Sequence, residues 1–209
     1  IVTGLVGSEM CIRDSILPGS RLPEAARNLC LLLKLVREVA KVMGVNVCQF
    51  RAATVPILMF ELEAIAVSEG WQYQGNKLTF LTQEYAIEVI CYEDAFADIL
   101  QYSNLVIGMA GTAIEQAVGL GKPVITIPGE GPSFTYGFAE AQTRLLGSSV
   151  QVIGKKIANN FTLQKAALKV KEILADQDYL QGCMNNGLER MGKPGASEKI
   201  ANYLVKYLS

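Results

Sequence analysis

The stretch Asn104 to Pro128, NLVIGMAGTAIEQAVGLGKPVITIP, most constrains what this chain can fold into. It reads as strand, glycine loop, helix, turn and strand. The apolar run from Asn104 to Gly108 has the pattern of a strand buried on both faces. Gly108 and Gly111 permit a tight turn and let a ligand approach the backbone closely. Thr112 is the expected helix N-cap. Gly119 and Gly121 end that helix, and Lys122-Pro123 leads into a second apolar strand, Val124 to Ile127. A helix N-terminus behind a glycine loop offers free N–H groups and a partial positive charge, which is where an α/β protein binds phosphate. The same glycines would also suit a βαβ unit in which they serve packing only.

The rest of the chain repeats this alternation. Ser15 to Arg21, SILPGSR, reads as a strand end, a glycine turn and a helix start, with Ser20 or Arg21 near the N-cap and Pro23 in the first turn. Ala25, Leu29, Leu32, Leu33, Val36, Val39 and Met43 then share one helical face, closed by Gly44. A strand is expected over Val45 to Ala53, a helix over Pro56 to Glu69, and a hairpin about Gly75-Asn76. Ala86 to Ile90 reads as a strand and Glu93 to Gln101 as a short helix, in which Phe96 belongs to the apolar face. Pro128 to Gly137 is a loop at a strand's C-terminal end, where open α/β sheets bind ligands. It carries the hydroxyls of Ser133, Thr135 and Tyr136, flanked by Phe134 and Phe138. After a short strand, Gln151 to Ile153, helices are expected over Leu163 to Ala175, Tyr179 to Met191 and Glu198 to Leu208. Ser197 should cap the last, and Ile200, Ala201, Leu204 and Leu208 form its apolar stripe. The alternation implies a Rossmann-like α/β domain, a parallel sheet flanked by helices.

Composition removes several classes of function. With 209 residues and half of them hydrophobic, the chain can build one substantial core. Lys plus Arg is 19 and Asp plus Glu is 20, so there is no electrostatic footprint for nucleic acid. No apolar run approaches the roughly 20 residues that span a bilayer. The five scattered cysteines, with no CxxC pair, fit reduced buried thiols in the cytoplasm. There is no histidine, so proton transfer within this chain would fall to carboxylates.

Residues 1–15, IVTGLVGSEMCIRDS, stand apart. Glu9 to Asp14 resembles a translated transposon mosaic end of the kind used to prepare sequencing libraries. The expectation is therefore a non-native, adaptor-derived segment at 1–15 and a single nucleotide-sugar-binding domain over 16–209.

The string G-T-A-x-x-x-A-x-x-x-G-x-P before an apolar strand resembles the donor loop of GT-B glycosyltransferases and of the non-hydrolysing UDP-N-acetylglucosamine 2-epimerase. LPGSR-x-x-E at 17–24 and RMGKPGASEKIANYL at 190–204 resemble the lipid-A-disaccharide-synthase-related family most closely. That resemblance implies the C-terminal, donor-binding half of a GT-B enzyme that transfers a sugar from a UDP-sugar to an acceptor, which in that synthase is a lipid. Gly19, Ser20 and Arg21 would face the donor diphosphate, together with Gly111, Thr112 and Ala113. The backbone near Tyr92 and Glu93 would face uracil, with Phe96 close by unless it only packs in the core, and the loop with Thr135 and Tyr136 would read the sugar. The family's ribose-binding Glu falls on Gln116 here, with Glu115 beside it, so either an amide or a displaced carboxylate takes the ribose. No metal or other cofactor is implied. The acceptor site and general base would lie in a missing N-terminal half, leaving this fragment inactive alone. Such a protein would be cytoplasmic, or peripheral to the inner face of a membrane. A sugar-nucleotide epimerase, a binding-only nucleotide-sugar protein and an unrelated Rossmann module remain as alternatives.

Overall fold

The computed structural model describes residues 12–44, 48–131, 134–193 and 195–208. Its strands are β1 (Ile12–Leu17), β2 (Cys48–Ala53), β3 (Gln72–Gln74), β4 (Lys77–Leu81), β5 (Ala86–Tyr92), β6 (Leu105–Gly108), β7 (Val124–Thr126) and β8 (Val150–Val152). They form one sheet in the order β3-β4-β5-β2-β1-β6-β7-β8. From β5 to β8 every pairing is parallel, and β3 and β4 extend the β5 edge as an antiparallel hairpin. Numbered among themselves, the parallel strands run 3-2-1-4-5-6, the order of doubly wound nucleotide-binding sheets. The strand order reverses between β1 and β6.

Helices cover both faces. They are α1 (Glu24–Met43), α2 (Pro56–Met59), α3 (Leu62–Glu69), α4 (Phe96–Tyr102), α5 (Thr112–Gly119), α6 (Tyr136–Leu146), α7 (Asn160–Ala175), α8 (Gln177–Met191) and α9 (Ala196–Leu208). Successive strand residues point to opposite faces. Ile16, Ile107 and Ile125 therefore enter one core with Leu29, Leu32, Leu33 and Val36 of α1 and Leu163 and Ala167 of α7. Leu17, Val106 and Val124 enter the other, with Ile114, Ala117 and Val118 of α5.

Several expected boundaries shift. Helix α1 starts at Glu24 behind Pro23, not at Ser20 or Arg21, and the amide of Ala25 bonds the Arg21 carbonyl at 2.8 Å. The helix expected over Pro56 to Glu69 is two, α2 and α3, broken at Phe60-Glu61. Helix α9 starts at Ala196, which puts Ser197 inside it, and Ile200 and Leu204 of its stripe stay 60% and 50% exposed. The start of the second expected strand, at 45–47, and Ser133 lie outside the described residues.

The expected break after residue 15 falls inside β1. Ile12 to Ser15 pair with Cys48 to Arg51 of β2, and Asp14 and Ser15 also pair with Leu105 and Val106 of β6. These positions belong to the sheet, and the proposed segment reaches the described residues only there, since 1–11 lie outside them. Asp14 is buried with neither carboxylate oxygen hydrogen-bonded among the described residues. Ser15 is also buried, and its hydroxyl meets the Ser103 hydroxyl and donates to the Ile99 carbonyl at 3.2 Å.

Candidate functional site

At the reversal of strand order the chain leaves β1 toward one face and β6 toward the other. The two loops part there, and an open α/β sheet offers a crevice between them. A cavity of about 680 Å³ occupies that place. Gly19, Ser20 and Arg21 line it from the β1–α1 loop, and Gly111, Thr112 and Ala113 line it from the β6–α5 loop. The two stretches that the family resemblance assigns to the diphosphate, far apart in the chain, thus face one volume.

Each glycine serves a different need. Gly19 has φ +99°, a left-handed value that favours glycine, and a β-carbon there would stand 3.3 Å from the Met109 carbonyl of the other loop. Gly111 is the N-cap of α5, with φ −83°, and a β-carbon there would meet nothing within 4 Å. Its glycine keeps the cavity open and is not required by the turn's φ. Thr112 is the first helical residue rather than the cap, and no side chain caps α5. The first amides of α5 have no carbonyl one turn back within the helix.

The other strand ends complete the wall. Glu93, after β5, lines the cavity. Tyr92 does not; its carbonyl turns to β2, accepting from the amide and the hydroxyl of Thr54 at 2.8 and 3.0 Å. Glu24, Thr54, Phe96, Phe134 and Phe138 also line it. A β-carbon at Gly131 would lie 3.3 Å from Glu24 Cγ, so the β7–α6 loop closes against the start of α1 and carries Phe134 inward.

Thr135 and Tyr136 are not in the cavity lining. Thr135 is the N-cap of α6, its hydroxyl accepting from the Phe138 amide at 3.3 Å, and Tyr136 has Lys155 Nζ 5.8 Å from its ring centroid. Glu115 is half-buried and Gln116 exposed; neither lines the cavity. Both stand one turn beyond Thr112, and Gln116 is also one turn from Ala113, on the stripe shared by the two lining residues.

Two buried amides reach the β6–α5 loop from behind: Asn28 of α1 bonds the Met109 carbonyl, and Gln142 of α6 bonds those of Ala110 and Gly111. Asn28 could have been noticed as a polar residue on an otherwise apolar helix face. Among the described residues no cluster of three or more His, Cys, Asp or Glu is placed to hold a metal ion, and no helix is long and apolar enough to cross a membrane.

No known protein family matches the chain, and no curated protein does. Solved structures do. A rhamnosyltransferase, SpnG, complexed with spinosyn aglycone aligns over 95% of this chain and 45% of its own, with TM-score 0.58 and 14% identity. The S. aureus MnaA–UDP co-structure aligns over 96% and 47%, with TM-score 0.55 and 16% identity. A Listeria monocytogenes protein described as a UDP-N-acetylglucosamine 2-epimerase aligns over 96% and 46%, with TM-score 0.54 and 18% identity. The likeness is one of fold, a Rossmann-like domain of the GT-B kind. The chain spans a little under half the length of these proteins.

Proposed function

We propose that this chain is the donor-binding half of a GT-B glycosyltransferase, of the lipid-A-disaccharide-synthase-related kind, and that it holds a UDP-sugar. One observation carries this: the loops after β1 and β6 converge on a single cavity at the reversal of strand order, bringing Arg21 and the N-terminal end of α5 to the same volume. Amide N–H groups and a guanidinium together suit a diphosphate. As the bond from the sugar's anomeric carbon to the diphosphate oxygen breaks, charge develops on the departing UDP, and these groups stabilise it without a metal. Uracil lies toward Glu93 at the end of β5, and the ribose lies along α5 at Glu115 or Gln116. The acceptor is a lipid or lipid-linked, and the acceptor site and general base belong to another half of the protein. This half alone binds donor without turnover. The whole protein works in the cytoplasm, against the inner membrane face when its acceptor is a lipid.

Residues 16–209 form the single native domain in this proposal, and Ile12 to Ser15 are adaptor-derived residues occupying strand positions. A buried parallel strand calls for continuous apolar residues. Asp14, buried with neither carboxylate oxygen hydrogen-bonded among the described residues, is the mismatch that an unselected peptide would bring.

Calorimetric titration with UDP, ADP and NAD tests the nucleotide. UDP should bind tightest, and ADP binding as tightly or more tightly would overturn the proposal. A second reading, a UDP-sugar epimerase, is favoured by the fold shared with the MnaA–UDP co-structure. The absence of histidine in this chain argues for transfer instead. A binding-only protein fits the replacement of the expected ribose Glu by Gln116. Assay of the full-length protein for transfer and for epimerisation separates the three.

A further inference from the structure

Asn28 and Gln142 are both buried, and their carboxamides are committed to main-chain carbonyls. Asn28 Nδ2 donates to the Pro18 carbonyl at 2.9 Å and to the Met109 carbonyl at 3.3 Å. It therefore ties the β1–α1 loop to the β6–α5 loop. Its Oδ1 has no hydrogen-bond partner among the described residues. The amide orientation is set by the two carbonyls in front of the nitrogen, since the reversed amide would oppose oxygen to oxygen. Gln142 Nε2 donates to the Ala110 carbonyl at 3.2 Å and to the Gly111 carbonyl at 3.3 Å. Three successive carbonyls of the glycine loop are thus held from the protein side.

In a trans peptide the N–H points opposite to the carbonyl of the same unit. Holding the carbonyls of Met109, Ala110 and Gly111 therefore turns the N–H groups of Ala110, Gly111 and Thr112 away from the two amides. Those three residues line the cavity. We propose that Asn28 and Gln142 are positioning residues for the nucleotide phosphates: from behind the loop they fix the peptides whose N–H groups bind the diphosphate. This rests on the nucleotide-sugar function proposed above. Neither side chain touches the ligand. The Gly111 carbonyl also accepts from the Ile114 amide at 2.9 Å, at the start of α5. Without the two side chains, it is therefore the peptides carrying the Met109 and Ala110 carbonyls that can turn an oxygen toward the cavity, where it would repel phosphate.

The test compares UDP, by calorimetry, with uridine, by ligand-observed NMR, for the unaltered chain, Gln142→Met and Asn28→Asp. Gln142→Met keeps the side chain's length and removes the donors. It should remain folded, weaken UDP by about tenfold or more and leave uridine unchanged, because only the phosphate contacts depend on the peptide orientation. Asn28→Asp, which replaces the donors by acceptors at equal size, should show the same split; if it does not fold, the Gln142 result decides. UDP affinity unchanged in folded Gln142→Met, or UDP and uridine weakened alike, would overturn the inference. Failure of the unaltered chain to bind UDP would overturn the nucleotide function itself.

Discussion

Gly187 of α8 rests directly against the carbonyl oxygen of Val118 in the last turn of α5. A β-carbon at 187 would fall inside contact distance of that oxygen and 3.3 Å from the Gly121 nitrogen. The helices meet backbone to backbone there, which fixes the far end of the helix whose N-terminus opens on the cavity. In an exposed helix interior, alanine is favoured over glycine by about 1 kcal/mol. Here the overlap reverses the sign. Gly187→Ala should cost about 1–3 kcal/mol, as overpacking does, and a domain of this size loses about 2–4 °C of thermal midpoint per kcal/mol. A midpoint by circular dichroism equal to or above that of the unaltered chain would show that α8 can move off α5 freely.

Asp14 should make stability depend on pH in the unusual direction. Burial pushes its carboxyl up to about 7 from the ordinary 3.8. Between those values the unfolded chain releases the proton that the folded chain keeps. Stability is therefore full below about pH 4, falls by about 4 kcal/mol as pH rises to about 7, and changes no further through this group. Asp14→Val supplies a β-branched apolar residue to a central strand and should raise the denaturant midpoint at pH 8 well above that of the unaltered chain. At pH 4 the gain should be small. An equal midpoint at pH 8 would mean that the carboxylate is solvated or paired.

What was legible in the sequence was local. The β6–α5–β7 unit follows from two apolar runs and the glycines between them, and the buried face of α1 follows from its spacing. What was not legible depends on partners distant in the chain. Asn28 takes its role from a carbonyl 81 residues away. Phe134, Phe138 and Glu24 line the cavity because the start of α1 and the β7–α6 region, far apart in the chain, meet around it. Thr135 offered a hydroxyl at the right end of a strand, but the start of α6 uses it as a cap. The break between α2 and α3 has no proline or glycine to announce it.

The first residues divide at the edge of β1. Because residues 1–11 precede β1 and fall within the segment expected to be adaptor-derived, their removal should change stability by no more than about 0.5 kcal/mol, as for substitutions without a packing role. Extending the deletion through Ser15 removes positions paired to β2, two of which pair also to β6. That longer deletion should abolish the cooperative thermal transition. Two deletions with equal midpoints would show that β1 contributes nothing from its first half.

Gly111 and the pair Glu115 and Gln116 test the binding site directly. A β-carbon at 111 meets no atom within 4 Å, so the side chain of Gly111→Val enters the cavity and leaves the cores untouched. UDP binding should be abolished in a chain that keeps its far-UV spectrum. Thr112→Ala should cost no helix cap, since Gly111 holds that position. For the ribose, losing a hydrogen bond to a charged acceptor costs about 1.5–3 kcal/mol and to a neutral one about 0.5–1.5 kcal/mol. Glu115→Ala should therefore weaken UDP roughly tenfold or more if the carboxylate is the ribose partner, with pyrophosphate little affected. A smaller loss confined to Gln116→Ala would assign the ribose to the amide, on the stripe that runs from Thr112 and Ala113. If neither variant moves the affinity and Gly111→Val still binds UDP, the glycine loop only packs and the cavity is not the nucleotide site.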